Sequence, residues 1–528
     1  MKTLQFDNRW LRELPGDPET DNFTRQVPNA LWSLVKPSQV RAPTLLAYSP
    51  EVANMLGLST SDMQDPAMLN ALSGNEVLPG MQAYATRYGG HQFGNWAGQL
   101  GDGRAILLGE LINNDKRFEL QLKGAGATPY SRRADGRAVL RSSLREYLCS
   151  EAMFHLGVPT TRALSLVTTG DKVVRDMFYD GNPQLETGAI VCRVAPSFTR
   201  FGHFELLASR GELDLLKQLV AFTIDRDFSD WYVSQPHQLA DGQLTPELVN
   251  AWFMEICERT AVMIAHWMRV GFVHGVMNTD NMSILGLTID YGPYGWVDNF
   301  DPGWTPNTTD AQGKRYCFGR QPDIGRWNLE RLADALATIL PNTDGLALAI
   351  EQYDSTYVTQ LTQSFAGKFG LGDWQEGDGE LVNRCFELMM RAEVDMTLFF
   401  THLAKLDIHA PQVETLKIAF YTEQGYANFS ADFAEWLTHY CQRVQHASQP
   451  VQARLAQMQT HNPRYVLRNY LAQQAIDLAE NNDTSLLETL HQVLRNPYTE
   501  QAGMAHFEEK RPDWARHKAG CSMLSCSS

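Results

Sequence analysis

The alternation of apolar and polar residues predicts a β-rich segment that begins near residue 84 and ends near residue 200. Short alternating or β-branched runs separated by glycine-rich turns are typical of strands in a sheet. Four such runs predict strands, at residues 105–111, 117–123, 160–174 and 188–194. Asn113-Asn114-Asp115 predicts a hairpin turn between the first two.

A helix is predicted inside this β-rich segment, over residues 138–155. Leu140, Leu144 and Leu148 follow one another at four-residue steps, and Gly157 supplies a stop signal. We therefore expect a sheet with one helix inserted in its sequence.

Beyond residue 204 the apolar residues recur at steps of three and four, which predicts mainly helices. One exception is expected at residues 282–289, where two short apolar runs split by Gly286 predict a small hairpin. The Gly- and Asp-rich stretch 367–379 predicts a loop or linker. The chain is thus expected to be α+β, with strands early and helices late.

Composition and charge narrow the function classes. The 528 residues are 44% hydrophobic and 20% charged, as in folded globular proteins. No apolar run approaches the roughly 18 residues of a membrane helix, and the first residues do not resemble a targeting signal, so we expect a cytoplasmic protein without membrane contact. The formal net charge of −16 disfavours nucleic-acid binding, so any phosphate site must be local.

The first candidate for phosphate binding is Gly101-Asp102-Gly103-Arg104, which follows Tyr88-Gly89-Gly90-His91-Gln92-Phe93-Gly94. Glycines let a ligand approach the backbone closely, and the neighbouring arginine can pair with phosphate oxygens. Glycine-rich segments are more often simple hairpin turns. Both interpretations remain open on the sequence.

Lys123 ends the second predicted strand and precedes Gly124-Ala125-Gly126. This order does not match a Walker A loop, in which the lysine follows the glycines. It resembles the strand lysine of a protein kinase, which a helical carboxylate holds in place. Glu146 can supply that carboxylate, whereas Glu151 lies on another face of the predicted helix; both could also be ordinary solvated charges.

Arginines recur every four residues along this region and are expected to line one helix face: Arg133, Arg137, Arg141 and Arg145. A nearby anion, or Glu146 with Glu151, would neutralise this positive patch. Arg193 and Arg200 follow on the last predicted strand and the turn after it, where they could bind phosphate oxygens or remain solvated.

The strongest constellation for catalysis is His274-Gly275-Val276-Met277-Asn278-Thr279-Asp280-Asn281, followed by Asp290-Tyr291-Gly292. A kinase-type site needs a base for the acceptor hydroxyl and two oxygen ligands for magnesium. The pattern departs from that of a protein kinase, because Asp280 and Asn281 are adjacent and Tyr291 replaces the Phe of Asp-Phe-Gly. A purely structural interpretation, in which buried aspartates cap turns, stays open.

These strings resemble the selenoprotein O (YdiU) family of kinase-like protein adenylyltransferases. The resemblance covers most of the chain and rests on Phe6-Asp7-Asn8-Arg9, Tyr88 to Gly94, Leu122-Lys123-Gly124-Ala125-Gly126, Arg137 to Ala152, Asn278-Thr279-Asp280-Asn281-Met282 and Asp290-Tyr291-Gly292-Pro293. It implies a bilobal protein-kinase-like fold that binds ATP in a flipped orientation and transfers AMP to Ser, Thr or Tyr hydroxyls of proteins. The expected parts are an N-terminal extension (1–80), a β-rich N-lobe (81–203), a mainly helical C-lobe (204–365) and a helical C-terminal region (366–528).

The resemblance also implies roles for single residues. Asp280 is the expected catalytic base, Asn281 and Asp290 are the expected ligands of Mg²⁺ or Mn²⁺, and Glu146 is expected to pair with Lys123. The residues expected around the nucleotide are Gly101, Gly103, Arg104, Lys123, Asp135, Gly136, Arg193, Arg200 and Asp290. The expected partners are protein substrates, including the enzyme itself.

Two cysteines lie close to the end of the sequence, at Cys521 and Cys526. In some family members the third residue from the end is selenocysteine, and here it is Cys526. Both thiols are expected to be accessible and redox-competent. A zinc site with His517 is the weaker alternative, because no fourth ligand is evident.

Two other functions use nearly the same residues. A conventional kinase would differ in the displaced Asn281 and the additional arginines. A non-catalytic pseudokinase would bind nucleotide without needing a base, so the presence of Lys123, Asp280 and Asp290 together argues against it.

Overall fold

The computed structural model describes residues 3–178, 180–235, 244–447 and 449–525. The strands are β1 (Trp32–Leu34), β2 (Thr44–Tyr48), β3 (Tyr84–Thr86), β4 (His91–Gln92), β5 (Asn95–Trp96), β6 (Ala105–Asn113), β7 (Lys116–Lys123), β8 (Ala138–Val139), β9 (Arg162–Arg175), β10 (Gln184–Ala195), β11 (Phe272–Val273) and β12 (Gly295–Trp296). The helices are α1 (Arg9–Glu13), α2 (Pro50–Met55), α3 (Thr60–Met63), α4 (Pro66–Leu72), α5 (Leu140–His155), α6 (Phe201–Ser209), α7 (Leu213–Asp227), α8 (Ser229–Tyr232), α9 (Pro246–Val270), α10 (Gln321–Ala337), α11 (Asp344–Phe369), α12 (Asp378–Arg391), α13 (Met396–Leu403), α14 (Glu423–His446), α15 (Val451–His461), α16 (Asn469–Ala479) and α17 (Ser485–Val493). The α+β prediction is confirmed, with most strands before residue 200 and most helices after it.

The main sheet of the described chain has eight antiparallel strands. Its order is β1-β3-β6-β7-β10-β9-β2, and β8 pairs with β10 beside this path. The predicted hairpin is the central pair β6–β7. Its turn residues Asn114 and Asp115 have φ of 50° and 59°, a left-handed conformation that Asn and Asp adopt more readily than most residues.

Both faces of this sheet are buried. Ile106 and Leu122 belong to one apolar core with helices α2, α3 and α4, whereas Leu107 and Val191 belong to the core that contains α5. Segment 3–80 supplies those three helices and also the two edge strands, β1 and β2. It therefore completes the sheet as well as covering it, and the boundary expected at residue 80 stays a prediction.

Helix α5 begins two residues later than expected. Ala138 and Val139 form strand β8 against β10, and Val139 is extended with φ −113° and ψ 159°. Arg133 and Arg137 therefore precede the helix, and the prediction of one helix face lined by four arginines is wrong.

The arginines that do lie on α5 are bound elsewhere. Arg141 pairs with Glu186 at 2.7 Å. Arg145 donates to the Tyr294 carbonyl at 2.7 Å and lies 4.2 Å from the centre of that ring. Neither guanidinium lines the phosphate-binding candidate.

The small hairpin predicted at residues 282–289 does not form as two strands. Met282 and Thr288 make a single antiparallel bridge. The backbone N–H of Ile284 bonds to the Thr199 carbonyl and that of Thr288 to the Pro159 carbonyl. Apart from the Met282–Thr288 bridge and a turn bond from the Gly286 N–H to Ser283, the segment thus pairs with residues far earlier in the chain.

Helices dominate the rest of the chain. Helices α9 and α11 pack on each other, and α11 to α14 enclose a third apolar core. The loop predicted at residues 367–379 lies between the end of α11 at Phe369 and the start of α12 at Asp378. None of the described helices combines the length and apolar character needed to cross a bilayer.

Candidate active site

A cavity of about 400 Å³ opens between the main sheet and the segment 276–293. Its lining includes Gly101, Gly103, Arg104, Lys123, Arg193, Arg200, Asp280, Asn281 and Asp290. Residues separated by up to 189 positions in the sequence thus meet around one space. The glycine turn, the strand lysine and the catalytic candidates belong to the same site.

Lys123 lies at the end of β7 and is buried. Its Nζ donates to Glu146 Oε2 on α5 at 2.6 Å, which is the expected ion pair. Arg193 on β10 donates through Nε to the other oxygen, Glu146 Oε1, at 2.5 Å. Burial lowers the pKa of Lys123 to about 8, although the Glu146 carboxylate opposes the shift.

Asp290 joins this pair to a second arginine. Arg193 donates to Asp290 Oδ1 at 2.5 Å, and Arg200 donates to Asp290 Oδ2 at 2.6 Å. Burial alone would raise the pKa of Asp290, but Arg193, Arg200 and Lys123 hold it well below its ordinary value. These five residues therefore form a continuous chain of alternating charges, which is buried except at Asp290, whose side chain is 23% exposed: Lys123, Glu146, Arg193, Asp290 and Arg200.

Asp280 lies in the short 3-10 turn Thr279–Asn281 and is 8% exposed. Its Oδ2 accepts a hydrogen bond from Gln92 Nε2 at 3.2 Å, and Arg200 donates to its backbone carbonyl at 2.9 Å. The buried Oδ1 has no hydrogen-bond partner among the described residues. Burial raises the pKa of Asp280 to about 7 despite the opposing Arg200 charge, so this carboxyl can gain or lose a proton near neutrality.

The two asparagines of the turn point their amides differently. Asn281 donates through Nδ2 to the Val276 carbonyl at 2.9 Å, so its Oδ1 is the group left for a ligand. Asn278 Oδ1 accepts from the Tyr316 hydroxyl at 2.6 Å and from the Phe93 N–H at 3.1 Å. Asn278 therefore braces the turn, and Asn281 is the better candidate for a metal ligand.

The glycine turn is required by packing. An added Cβ at Gly101 would lie 2.5 Å from Tyr130 Cγ, and one at Gly103 would lie 2.9 Å from the Tyr130 carbonyl oxygen. Tyr130 thus closes over the turn, which explains the glycines without a ligand. Arg104 lines the cavity, and its guanidinium forms no ion pair within the described ranges.

Two of the expected nucleotide-binding residues do not line the cavity. Asp135 is exposed and pairs with Arg175 at 2.8 Å. Gly136 is buried against Gly126, where an added Cβ would meet backbone at 2.2 Å. Glu151, the alternative to Glu146, pairs with Arg162 at 2.7 Å and lies outside the site.

Sequence reasoning missed Gln92 and the surroundings of Asn278. The sequence leaves Tyr88 to Gly94 open as a phosphate loop or a plain turn; in the structure it supplies strand β4 and the turn of the hairpin β4–β5, which packs on the turn Thr279–Asn281. The His91 N–H donates to Thr279 Oγ1 at 2.7 Å. The length and unusual composition of the Tyr88 to Gly94 string indicated that it has a specific role. They did not indicate its contact with Thr279, because that residue lies 188 positions from His91 in the sequence.

The expectation of accessible terminal thiols fails at Cys521, which is 2% exposed. Burial raises its pKa to about 11, which opposes formation of the reactive thiolate. Cys526 lies outside the described residues. Where the chain is described, the only cluster with metal-ligand spacing is Glu51, Glu151 and His155. A zinc site that combines His517 with Cys526 involves a residue outside the described ranges and stays a prediction.

The cavity brings together a buried lysine–glutamate pair, the arginines Arg104, Arg193 and Arg200, and an Asp-Asn pair with a second Asp. Enzymes that handle nucleotide phosphates use groups of these kinds. Comparison with known proteins gives the family. A family model described as "Protein adenylyltransferase SelO" matches residues 19–495, and the chain belongs to this family.

Curated relatives cover the whole chain. "Protein nucleotidyltransferase YdiU" of Tolumonas auensis is 62% identical over 528 residues, which are all of both chains. The protein of the same description from Methylobacillus flagellatus is 60% identical over 526 residues, covering 99% of this chain and all of the relative. The chain is an enzyme of the protein nucleotidyltransferase class, for which ATP is the implied substrate.

Proposed function

We propose that the cavity around Asp280 binds ATP and that the enzyme transfers its AMP group to Ser, Thr or Tyr hydroxyls of proteins. The buried Asp280 Oδ1, without a hydrogen-bond partner in the described chain, carries this proposal. An unpartnered buried carboxylate oxygen is costly to stability, so such atoms are usually kept where a ligand or a proton completes them.

In this proposal Asp280 is the general base. The acceptor hydroxyl oxygen forms a bond to the α-phosphorus of ATP, diphosphate leaves, and the hydroxyl proton passes to Asp280. The pKa of about 7 supports this role, because a base titrating near the working pH is the most effective one. The Gln92 amide holds Oδ2, so that Oδ1 remains for the hydroxyl.

The buried cations bind the phosphates. Lys123, Arg193 and Arg200 are fixed by carboxylates, and Arg104 adds a charge without an ion-pair partner in the described chain. Two arginines flanking Asp290 support the flipped orientation of ATP, because a reversed triphosphate needs cations deeper in the cleft than a kinase provides.

The oxygen donors fit Mg²⁺ or Mn²⁺. Asn281 Oδ1 and the Asp290 carboxylate are hard ligands of the kind these ions take, and Asn281 already turns its amide nitrogen to Val276. Asn281 and Asp290 would hold the metal, which would neutralise phosphate charge when bound. Arg193 and Arg200 also pair with the Asp290 carboxylate.

The same proposal includes a bilobal kinase-like arrangement. The sheet with α5 would form the N-lobe (81–203), the helices from α6 would form the C-lobe (204–365), and residues 1–80 and 366–528 would be the extensions. The position of the cavity between sheet residues and segment 276–293 supports this division.

Parallel incubations with α-labelled and γ-labelled ATP test the proposed reaction. We expect α-label, and not γ-label, to become covalently attached to protein, including the enzyme itself. Transfer of γ-label alone would make the enzyme a conventional kinase. Nucleotide binding without transfer of either label would support the pseudokinase alternative.

A further inference from the structure

The hairpin β4–β5 forms a wall beside the catalytic turn. Its backbone approaches Asp280 so closely that an added Cβ at Gly90 would lie 2.7 Å from Asp280 Oδ1. The Gln92 amide contacts Asp280, and the His91 N–H contacts Thr279. The hairpin therefore lies beside any substrate group that contacts the Asp280 carboxyl from this side.

The loop that contains Tyr316 is hydrogen-bonded to the turn of the same hairpin. The Phe93 N–H donates to both Asn278 Oδ1 and the Tyr316 hydroxyl, at 3.1 and 3.0 Å. Arg315 precedes Tyr316, and its Cζ would lie 3.4 Å from a Cβ added at Gly94. Since Gly94 is two residues from Gln92, at most about 7 Å along the backbone, Arg315 lies within a few residues' reach of Asp280.

Arg315 is half-buried and forms no ion pair within the described ranges, although its charge acts on the neighbouring Asp310 carboxyl and Tyr316 hydroxyl. Its Nε and Nη2 atoms are buried and have no hydrogen-bond partner within the described ranges. Asp310 of the same loop is engaged with the backbone N–H groups of Arg315 and Tyr316, at 2.9 and 2.7 Å. On the neighbouring helix α10, by contrast, Arg326 pairs with Asp354 at 3.1 Å.

Aromatic rings extend this surface outward. The Arg315 guanidinium lies 4.6 Å from the centre of the Trp327 ring, and Trp327 meets His91 edge-on with ring centres 5.5 Å apart. Trp96 of the hairpin is 39% exposed beside His91. Arg315 does not line the nucleotide cavity, so its charge is available to something other than ATP.

We propose that Arg315, Trp327 and the hairpin β4–β5, here called the Arg315 surface, bind the acceptor protein. The Arg315 guanidinium forms an ion pair with an Asp or Glu side chain of the acceptor, a few residues from the hydroxyl that is modified. The aromatic rings contact the acceptor residues that lie between this acidic residue and the hydroxyl. This inference rests on the proposed function, because it names the class of acceptor for the same site.

Six pairs of acceptor peptides test the Arg315 surface. Every peptide carries a single Ser, and the two members of a pair differ only in having Glu or Gln at one of the three positions on either side of it. A charge-assisted hydrogen bond predicts a kcat/KM about tenfold higher for the Glu peptide at one or two positions, mainly through KM. Equal rates for Glu and Gln peptides at every position would overturn the inference, and this comparison needs only the wild-type enzyme.

Variants then locate the effect. We expect Arg315→Gln to abolish the preference for Glu while leaving KM for ATP unchanged, whereas the matched control Arg326→Gln keeps the preference. An unchanged preference in folded Arg315→Gln would also overturn the inference. The preference for Glu over Gln peptides is measured with whichever label of ATP, α or γ, is transferred. Transfer of γ-label would contradict the AMP-transfer proposal, whereas loss of the Glu preference would contradict only the Arg315 surface.

Discussion

Single residues in the cavity are held by shared partners. Glu146 gives one oxygen to Lys123 and the other to Arg193, and Asp290 divides its oxygens between Arg193 and Arg200. Removal of one carboxylate therefore strands two buried cations, which is far more costly than the loss of an exposed pair. Asp280 is the exception, because its Oδ1 has no hydrogen-bond partner among the described residues.

Replacing Asp280 by Asn tests the base with little change in shape. We expect Asp280→Asn to lower AMP transfer by about 10²- to 10⁴-fold, since an amide cannot accept the hydroxyl proton. Affinity for ATP should change little, because Lys123, Arg193 and Arg200 remain. Transfer of α-label and calorimetric titration of ATP measure the two effects, and near-normal transfer by folded Asp280→Asn would remove Asp280 as the base.

The sequence predicted the participants better than their partners. Local pattern placed Lys123 at a strand end and Glu146 on a helix but left both glutamates open as solvated charges, and the family resemblance supplied the expected pairing. The bridge from Arg193 to Asp290 and the bond from Gln92 to Asp280 were not predictable, because they join residues 97 and 188 positions apart through the folded chain. The purpose of Gly101 was equally hidden, since it depends on where Tyr130 packs.

At the scale of elements, helix α6 follows the last strand of the main sheet and packs against the turn Thr279–Asn281. It begins directly after Arg200, and Gly202 in its first turn faces Gly89, where an added Cβ would lie 2.1 Å from the carbonyl oxygen. His203 accepts the Arg200 N–H at 3.1 Å through Nδ1 and is 1% exposed. Burial and the Arg200 charge lower the pKa of His203 to about 3.

This shift predicts that His203 makes stability depend on pH. A histidine whose pKa is lower in the folded state than its ordinary 6.5 favours unfolding as the pH falls below that value. Between pH 8 and pH 5 the wild type should lose about 2 kcal/mol relative to His203→Gln, which cannot be protonated. Urea unfolding of both proteins at the two pH values measures this difference, and parallel pH curves would contradict the prediction.

Strands and helices with long regular patterns were predicted, and short ones were not. The runs that became β6, β7, β9 and β10 bury side chains on both faces, and their apolar content reveals them. The edge strand β1 is three residues long, and its sequence does not distinguish it from a loop. The start of α5 was misplaced because pairing of β8 with β10 overrides the local preference for helix.

At the scale of the whole molecule, the end of the chain returns to the site. Leu524 is fully buried and pairs with Asn307; its N–H donates to the Pro306 carbonyl at 2.9 Å and its carbonyl accepts from Thr308. Asn307 in turn donates to the Gly275 carbonyl at 3.0 Å, just before the catalytic turn. The last described residues thus support the loop that leads to Asp280.

Leu524→Ala should lower the free energy of unfolding by about 2–5 kcal/mol, the usual cost of truncating a buried leucine. Met523 is 39% exposed, so Met523→Ala serves as the neighbouring control and should have little effect. Urea denaturation of the two variants and the wild type measures the cost. Equal stability of all three proteins would show that the terminal segment is not part of the fold.

The chain of charges from Lys123 to Arg200 has a consequence for the entropy of binding. Free arginine and lysine side chains each lose about 2 kcal/mol of rotamer entropy when they are immobilised. In this protein Glu146 and Asp290 immobilise Lys123, Arg193 and Arg200 during folding. Under the proposed function, a triphosphate would meet cations whose directions are already set, and its binding would not have to order them.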